Sequence, residues 1–160
     1  MGVGKTRIGK KISQMMNVPF IDIDQEIEKN ENKSISKIFK ENGEGYFRKL
    51  ETNFIHSFNY SKKMVVSCGG GLPCHSNNMD IIIQKSHSLY LQKDFETLIL
   101  KLEKEKKSRP MINFLGKENF YKKNKALYQE RIPFYNKSSF HLKVDSLWKE
   151  NFMTDIYTKL

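Results

Sequence analysis

Four short stretches carry residue types whose spacing suits chemistry. The first is Gly2-Val3-Gly4-Lys5-Thr6, which matches the distal half of a phosphate-binding loop, G-x-x-x-x-G-K-[ST]. Glycines let backbone N–H groups curl around phosphate oxygens, and a following helix adds its positive N-terminal end. In that role Lys5 reaches the β- and γ-phosphates of a nucleotide, and Thr6 offers its hydroxyl to Mg2+. The bland alternative is a loose N-terminus that happens to read G-K-T. The second stretch holds Asp22 and Asp24, at the end of an apolar run. Strand alternation would put both carboxylates on one side. They are either turn- or helix-capping aspartates, or one serves a metal while the other accepts substrate hydroxyls.

The third stretch, "GEGYFRKLE", spaces Arg48 and Glu51 three apart. On a helix they form either a surface pair worth tenths of a kcal/mol, roughly 0.2–0.5, or a unit in which Glu51 orients Arg48 to clamp a carboxylate bidentately. The fourth, "SCGGGLP", contains Gly69, Gly70 and Gly71 in succession. Three glycines cost backbone entropy and make sense where a ligand must approach the backbone closely; a tight loop without a ligand is the alternative. Arginine is scarce beside lysine, occurring only at positions 7, 48, 109 and 131. Retaining it in such settings suggests a need for planar, forked donors.

The elements that must position these residues alternate along the chain. Ile8, Ile12, Met15 and Met16 recur at helical spacing from about Lys5. Residues 18–24 read as a buried strand. Ser34 caps a short helix carrying Ile35, Ile38 and Phe39, which Gly43 ends. Tyr46, Phe47, Leu50, Phe54 and Phe58 mark a longer helix. Strands over 64–67, 87–91 and 140–144 interleave with helices over "MDIII", from Phe95 to Leu102, over 119–131, and around Trp148, Phe152 and Ile156. The charged stretch 103–118 reads as a mobile excursion. Strands alternating with helices imply an α/β fold, a parallel sheet covered on both faces, with ligands at the carboxyl ends of the strands.

At 160 residues the chain is one domain's worth, 38% hydrophobic and 29% charged, which excludes wholesale disorder. No run approaches the roughly 20 apolar residues of a membrane span. Cys68 and Cys74 lack zinc-type spacing and read as reduced thiols of a cytoplasmic protein. His56, His75, His87 and His141 lack metal-ligand spacing and read as structural or surface residues. The net charge of +10 comes from lysines scattered over the whole length, which favours a solvated surface over nucleic-acid binding.

Taken together, six stretches in order resemble shikimate kinase, a small P-loop kinase of the nucleoside-monophosphate-kinase type. They are the loop at 2–6, Asp22 with Asp24, Phe47-Arg48 with Glu51, Ser67 with Gly69–Gly71, Arg109-Pro110-Met111-Ile112, and Arg131 with Pro133 and Tyr135. The resemblance runs from Gly2 to about Val144. It implies transfer of the γ-phosphoryl group of ATP to the 3-hydroxyl of shikimate, within aromatic amino-acid synthesis. By that similarity Asp24, Arg48, Gly69, Gly70, Gly71 and Arg131 bind shikimate, with the two arginines on its carboxylate. Asp24 also positions or deprotonates the attacking hydroxyl. Gly2, Val3, Gly4, Lys5 and Thr6 hold the nucleotide, Thr6 and Asp22 serve Mg2+, and Arg109 swings in on the lid. Lys5, Asp24 and Arg109 are thus the implied catalytic set. The implied molecule is a cytoplasmic monomer acting on small molecules, without nucleic acid or membrane, and a single domain over 1–160. Its substrate-binding segment spans about 24–52 and its lid about 103–118.

Two departures stand out. Where the family often carries an adenine-stacking arginine, "LKLEKEK" offers only Lys101 and Lys104, which lack the flat guanidinium. The resemblance also implies a three-layer α/β/α fold with sheet order 2-3-1-4-5, whose central first strand precedes the P-loop. No residues for that strand lie before Gly2. Four buried apolar side chains at roughly 1.5–3 kcal/mol each would contribute on the order of 10 kcal/mol, against about 5–15 kcal/mol for a whole domain. Sheet neighbours left unpaired are therefore expected. The explanations are a start assigned at an internal methionine, a decayed and inactive remnant, or completion of the sheet by another chain. A sibling kinase acting on gluconate is the alternative within the same fold.

Overall fold

A computed structural model describes residues 2–105 and 117–144. Arg109, most of the 103–118 excursion and the expected terminal helix lie outside the described residues. The elements run α1 (Lys5–Met16), β1 (Phe20–Asp22), α2 (Ile23–Glu31), α3 (Ile35–Ser57), β2 (Val65–Ser67), a 3-10 turn at Leu72–Cys74, α4 (Asn78–Lys85), β3 (Leu89–Gln92), α5 (Phe95–Glu105), α6 (Lys117–Tyr135) and β4 (Phe140–Lys143).

Local chemistry explains most of these boundaries. Ile8 and Ile12, about one turn apart, are buried on α1, and Met16 packs beside them, while Met15 is 47% exposed. Asn17 in the left-handed region ends α1, its N–H bonding to the Ser13 and Gln14 carbonyls. The expected strand over 18–24 stops early. The Asp22 side chain accepts the Asp24 N–H at 3.2 Å and so caps α2. Asp24 therefore stands in the first turn of a helix, not two steps along a strand. Ser34 caps α3 as expected, accepting the Lys37 N–H at 3.3 Å. Gly43 (φ 80°, ψ 170°) breaks α3 into two helical halves.

Both strand pairs are parallel. β1 aligns Phe20 with Val65 and Asp22 with Ser67 of β2; β3 aligns Leu89 with Phe140 and Gln92 with Lys143 of β4. Each pair is joined by a helical crossover, as parallel pairing requires. Among the described residues these are two separate two-stranded sheets rather than one continuous sheet. A cavity of about 770 Å3 is lined by Val65 and Val66 of β2, Leu89 and Leu91 of β3, and Ile8 and Ile12 of α1. The facing edges of β2 and β3 thus share an apolar space where the order 2-3-1-4-5 puts its central strand. Val66 is accordingly 37% exposed, although parallel strands are normally covered on both faces.

The best-packed core lies elsewhere. Ile23 and Ile27 of α2, Ile38, Phe47 and Ile55 of α3, and Leu72 are all buried together. This cluster holds α2 and α3 against the glycine loop, and so fixes the region that carries Asp24, Arg48 and Glu51.

Candidate active site

Both glycines ahead of α1 have positive φ, Gly2 at 63° and Gly4 at 96°. Gly4 has φ 96° and ψ 28° as the N-cap of α1, with no side-chain cap and no acidic residue in the first turn. A Cβ at Gly4 would meet nothing within 4 Å, so glycine is needed there for its backbone angles, not for space. The first-turn N–H groups of α1 are left to an anion. Lys5 opens the helix. The Thr6 hydroxyl donates to Asp22 Oδ2 at 3.1 Å, so Asp22 uses one oxygen to cap α2 and the other to reach Thr6. Lys101 donates to the Gly2 carbonyl at 2.7 Å, which ties this lysine to the loop rather than leaving it to stack on a base.

Asp24 lies beside this loop. Its Oδ1 is buried with no hydrogen-bond partner. Burial raises its pKa above the ordinary carboxylate value, Asp22 and Glu28 add to the rise, and the charges of Lys5 and Arg48 oppose it. Glu51 is 1% exposed and accepts Arg48 Nη1 at 2.6 Å through Oε2, while its Oε1 is also without a partner. Burial raises the Glu51 pKa too, against the pull of Arg48. Arg48 is largely buried and bonded at each nitrogen, since Glu44 Oε1 accepts its Nε at 3.1 Å and Nη2 at 2.8 Å; two of its five N–H donors remain for another acceptor.

The triple glycine is a meeting point for these groups. A Cβ on Gly69 would lie 3.1 Å from Glu51 Oε1 and 3.2 Å from Asp24 Oδ1. A Cβ on Gly71 would lie 2.5 Å from Arg48 Nη1 and 2.7 Å from its Cζ. The crowding at Gly69 and Gly71 thus comes from the molecule's own side chains, not from a ligand alone as the sequence suggests. The Gly70 carbonyl accepts the Tyr135 hydroxyl at 2.5 Å. Arg131, one turn before Tyr135 on α6, lines the cavity with Lys5, Gly69 and Gly70, and its charge acts on Glu44, Glu51 and His75.

Of the sequence candidates, Lys5, Thr6, Asp22, Asp24, Arg48, Gly69, Gly70, Gly71 and Arg131 converge at the carboxyl ends of β1 and β2. Arg109 lies outside the described residues. Sequence reasoning gives no role to Glu44, sets His75 aside and uses Tyr135 only as a motif letter. The four-residue spacing of Glu44 and Arg48 is the available signal for the first.

The site has two ends. Backbone N–H groups, Lys5 and a hydroxyl–carboxylate pair suit a phosphoanhydride with a hard cation. Among the described residues, no group of three or more His, Cys, Asp or Glu could hold a metal. Two oxygen donors from Thr6 and Asp22 fit Mg2+, which keeps several waters and shares phosphate oxygens. The other end offers Arg48 and Arg131 to an anion, with the Asp24 carboxylate between.

A glycine loop feeding an uncapped helix N-terminus, at the carboxyl edge of parallel α/β strands, defines a P-loop phosphoryl-transfer protein. The chain belongs to the shikimate kinase family, whose family model matches residues 1–160. It is 44% identical over 138 residues to the shikimate kinase of Dictyoglomus turgidum, covering 84% of this chain and 77% of the relative. It is 33% identical over 160 residues to that of Parabacteroides distasonis, covering 100% and 92%. Among solved structures, the Acinetobacter baumannii shikimate kinase in complex with shikimate superposes with a TM-score of 0.81 at 28% identity, covering 99% of this chain and 87% of that one. No helix among the described residues is long and apolar enough to cross a membrane.

Proposed function

We propose that this chain is an ATP-dependent shikimate kinase, moving the γ-phosphoryl group of ATP to the 3-hydroxyl of shikimate and releasing ADP. The observation that carries the reading is the convergence on the glycine loop: Arg48, held by buried Glu51, lies over Gly71, and the unpartnered Asp24 oxygen lies over Gly69. Substrate carboxylate sits on Arg48 and Arg131, and substrate hydroxyls face Asp24. In the transfer, the hydroxyl oxygen bonds to the γ-phosphorus as the bond from that phosphorus to the ADP oxygen breaks. The hydroxyl proton passes to Asp24, whose raised pKa makes it the stronger base. Gly2, Val3 and Gly4 hold the phosphates through backbone groups, and Lys5 neutralises charge on the transferring group. Thr6 and Asp22 would hold Mg2+, which would supply charge neutralisation at the phosphate oxygens. Arg109 contributes from the lid, about 103–118, and residues 24–52 form the substrate-binding segment of a single domain over 1–160. The enzyme acts as a monomer on small molecules only.

ADP release with shikimate, gluconate and nucleoside monophosphates as acceptors tests the reading. Mg2+-dependent release with shikimate alone is expected. Release with gluconate or a nucleotide, and none with shikimate, would overturn it. The split sheet favours a second reading, substrate binding without turnover; shikimate binding in calorimetry without ADP release would select it.

A further inference from the structure

Glu44 sits on the arginine assigned to the substrate's carboxylate. Its Oε1 accepts both Nε and Nη2 of Arg48, at 3.1 and 2.8 Å. That is the edge of the guanidinium that a bound carboxylate takes side-on. Glu51 takes the remaining Nη1 at 2.6 Å, so every nitrogen of the fork is in use. The two glutamates differ in kind. Glu51 is buried, with its side chain 1% exposed, whereas the Glu44 side chain is 60% exposed. One is built into the core and the other can leave.

Three further observations separate Glu44 from an ordinary helix-surface pair. The charge of Arg131 acts on its carboxyl in the same sense as Arg48, so it sits in the field of both arginines. It follows Gly43, whose φ of 80° and ψ of 170° interrupt α3. A Cβ at Gly43 or Gly45, on either side of Glu44, would meet nothing within 4 Å, so the space beside these two glycines is open.

We propose that Glu44 is an internal carboxylate surrogate: it fills the Nε–Nη2 edge of Arg48 when substrate is absent and is displaced by the substrate's carboxylate. The inference rests on the reading of Arg48 as the carboxylate clamp. By keeping the fork occupied, Glu44 pre-orients Arg48 and lowers its affinity for every anion. Only a ligand that satisfies Asp24 and the glycine loop as well gains enough to displace it. Glu44 is thus a specificity-determining residue.

The test compares the parent chain with Glu44→Gln, a change at a side chain that is 60% exposed, with circular dichroism as the check that the fold is retained. Shikimate and benzoate are titrated by calorimetry, and arginine Nε–Hε groups are followed by NMR. With four arginines in the chain the NMR spectrum is simple, and Arg48→Lys assigns the signal. Glu44→Gln should bind shikimate about two- to fivefold more tightly, the range expected for an exposed charge pair, and should gain at least as much for benzoate. In the absence of ligand, the Arg48 Nε–Hε signal should differ between the parent and Glu44→Gln, because the substitution breaks the pair. Adding shikimate should shift the parent's signal, because the ligand breaks the same pair. An Arg48 signal that neither change moves would overturn the proposal. Unchanged or weaker shikimate binding by Glu44→Gln would overturn it equally, weaker binding marking Glu44 as a residue that merely positions Arg48. Failure of the parent chain itself to bind shikimate would remove the clamp reading, and this inference with it.

Discussion

Replacing Arg48 with alanine should destabilise the protein in a pH-dependent way. The magnitude follows from Glu51, which is 1% exposed and has Arg48 as the hydrogen-bond partner of Oε2, while Oε1 has none. Removing one member of a buried pair leaves an uncompensated charge, at a cost of about 3–5 kcal/mol. Glu44 loses the same partner, but it is mostly exposed and adds less than about 1 kcal/mol. The folded-state pKa of Glu51 is already raised by burial. The folded protein therefore holds this proton more tightly than the unfolded chain, and stability falls as pH rises from the unfolded pKa through the raised one. Without Arg48 the strongest influence holding the pKa down is gone and only the charge of Arg131 still opposes the rise, so the window extends to higher pH. Within it the slope approaches about 1.4 kcal/mol per pH unit. Urea denaturation followed by far-UV circular dichroism from pH 5 to 8 measures both effects. Arg48→Ala should lose most at pH 8 and least at pH 5, and Arg48→Ala with Glu51→Gln should recover most of the loss and flatten the pH dependence. An Arg48→Ala variant within about 0.5 kcal/mol of the parent at every pH would refute the claim that Arg48 offsets a buried charge.

Three further outcomes are expected. Gly71→Ala puts a Cβ 2.5 Å from Arg48 Nη1; displacing this charged contact should raise the KM for shikimate about tenfold or more with little change in the KM for ATP, and equal changes in both would contradict the assignment. Thr6→Val removes an exposed hydroxyl that donates to Asp22; it should raise the Mg2+ concentration needed for half-maximal turnover while leaving the thermal midpoint within about 2 °C, and an unaltered Mg2+ profile would argue against Thr6 as a metal group. Fusing a five-residue apolar strand ahead of Gly2 should fill the cavity of about 770 Å3 between β2 and β3 and raise the thermal midpoint by more than about 10 °C; no change would show that the two edges do not accept a strand.

Much of the architecture is legible because it is local. Ser34 announces a helix start by its own hydroxyl, and Gly43 announces the break in α3 by the one backbone conformation that other residues avoid. Ile8 and Ile12 mark the buried face of α1 by spacing alone. Asp24 is misplaced on a strand because "VPFIDID" alternates like one. The Asp22 carboxylate decides otherwise by capping α2, a contact that competes with strand pairing at the same residues. Glu44 is inconspicuous because its spacing to Arg48 is that of any helix-surface ion pair; nothing local places Arg131 and His75 around it.

The order of strands and helices, the glycine-rich loops and the identity of the charged groups follow from the sequence by itself, since periodicity, capping and backbone preference act over a few residues. Only the tertiary structure decided which groups meet. Asp24 on α2, Glu51 on α3 and Gly69 after β2 are far apart in the chain, and they converge because Ile23, Ile38, Phe47 and Leu72 bury one another and carry those side chains with them. The same packing leaves two carboxylate oxygens without partners at the loop, and it seats Glu44 on the arginine that a substrate would claim. Periodicity encodes the face that a helix buries; the burial of several such faces together determines what lies across from it.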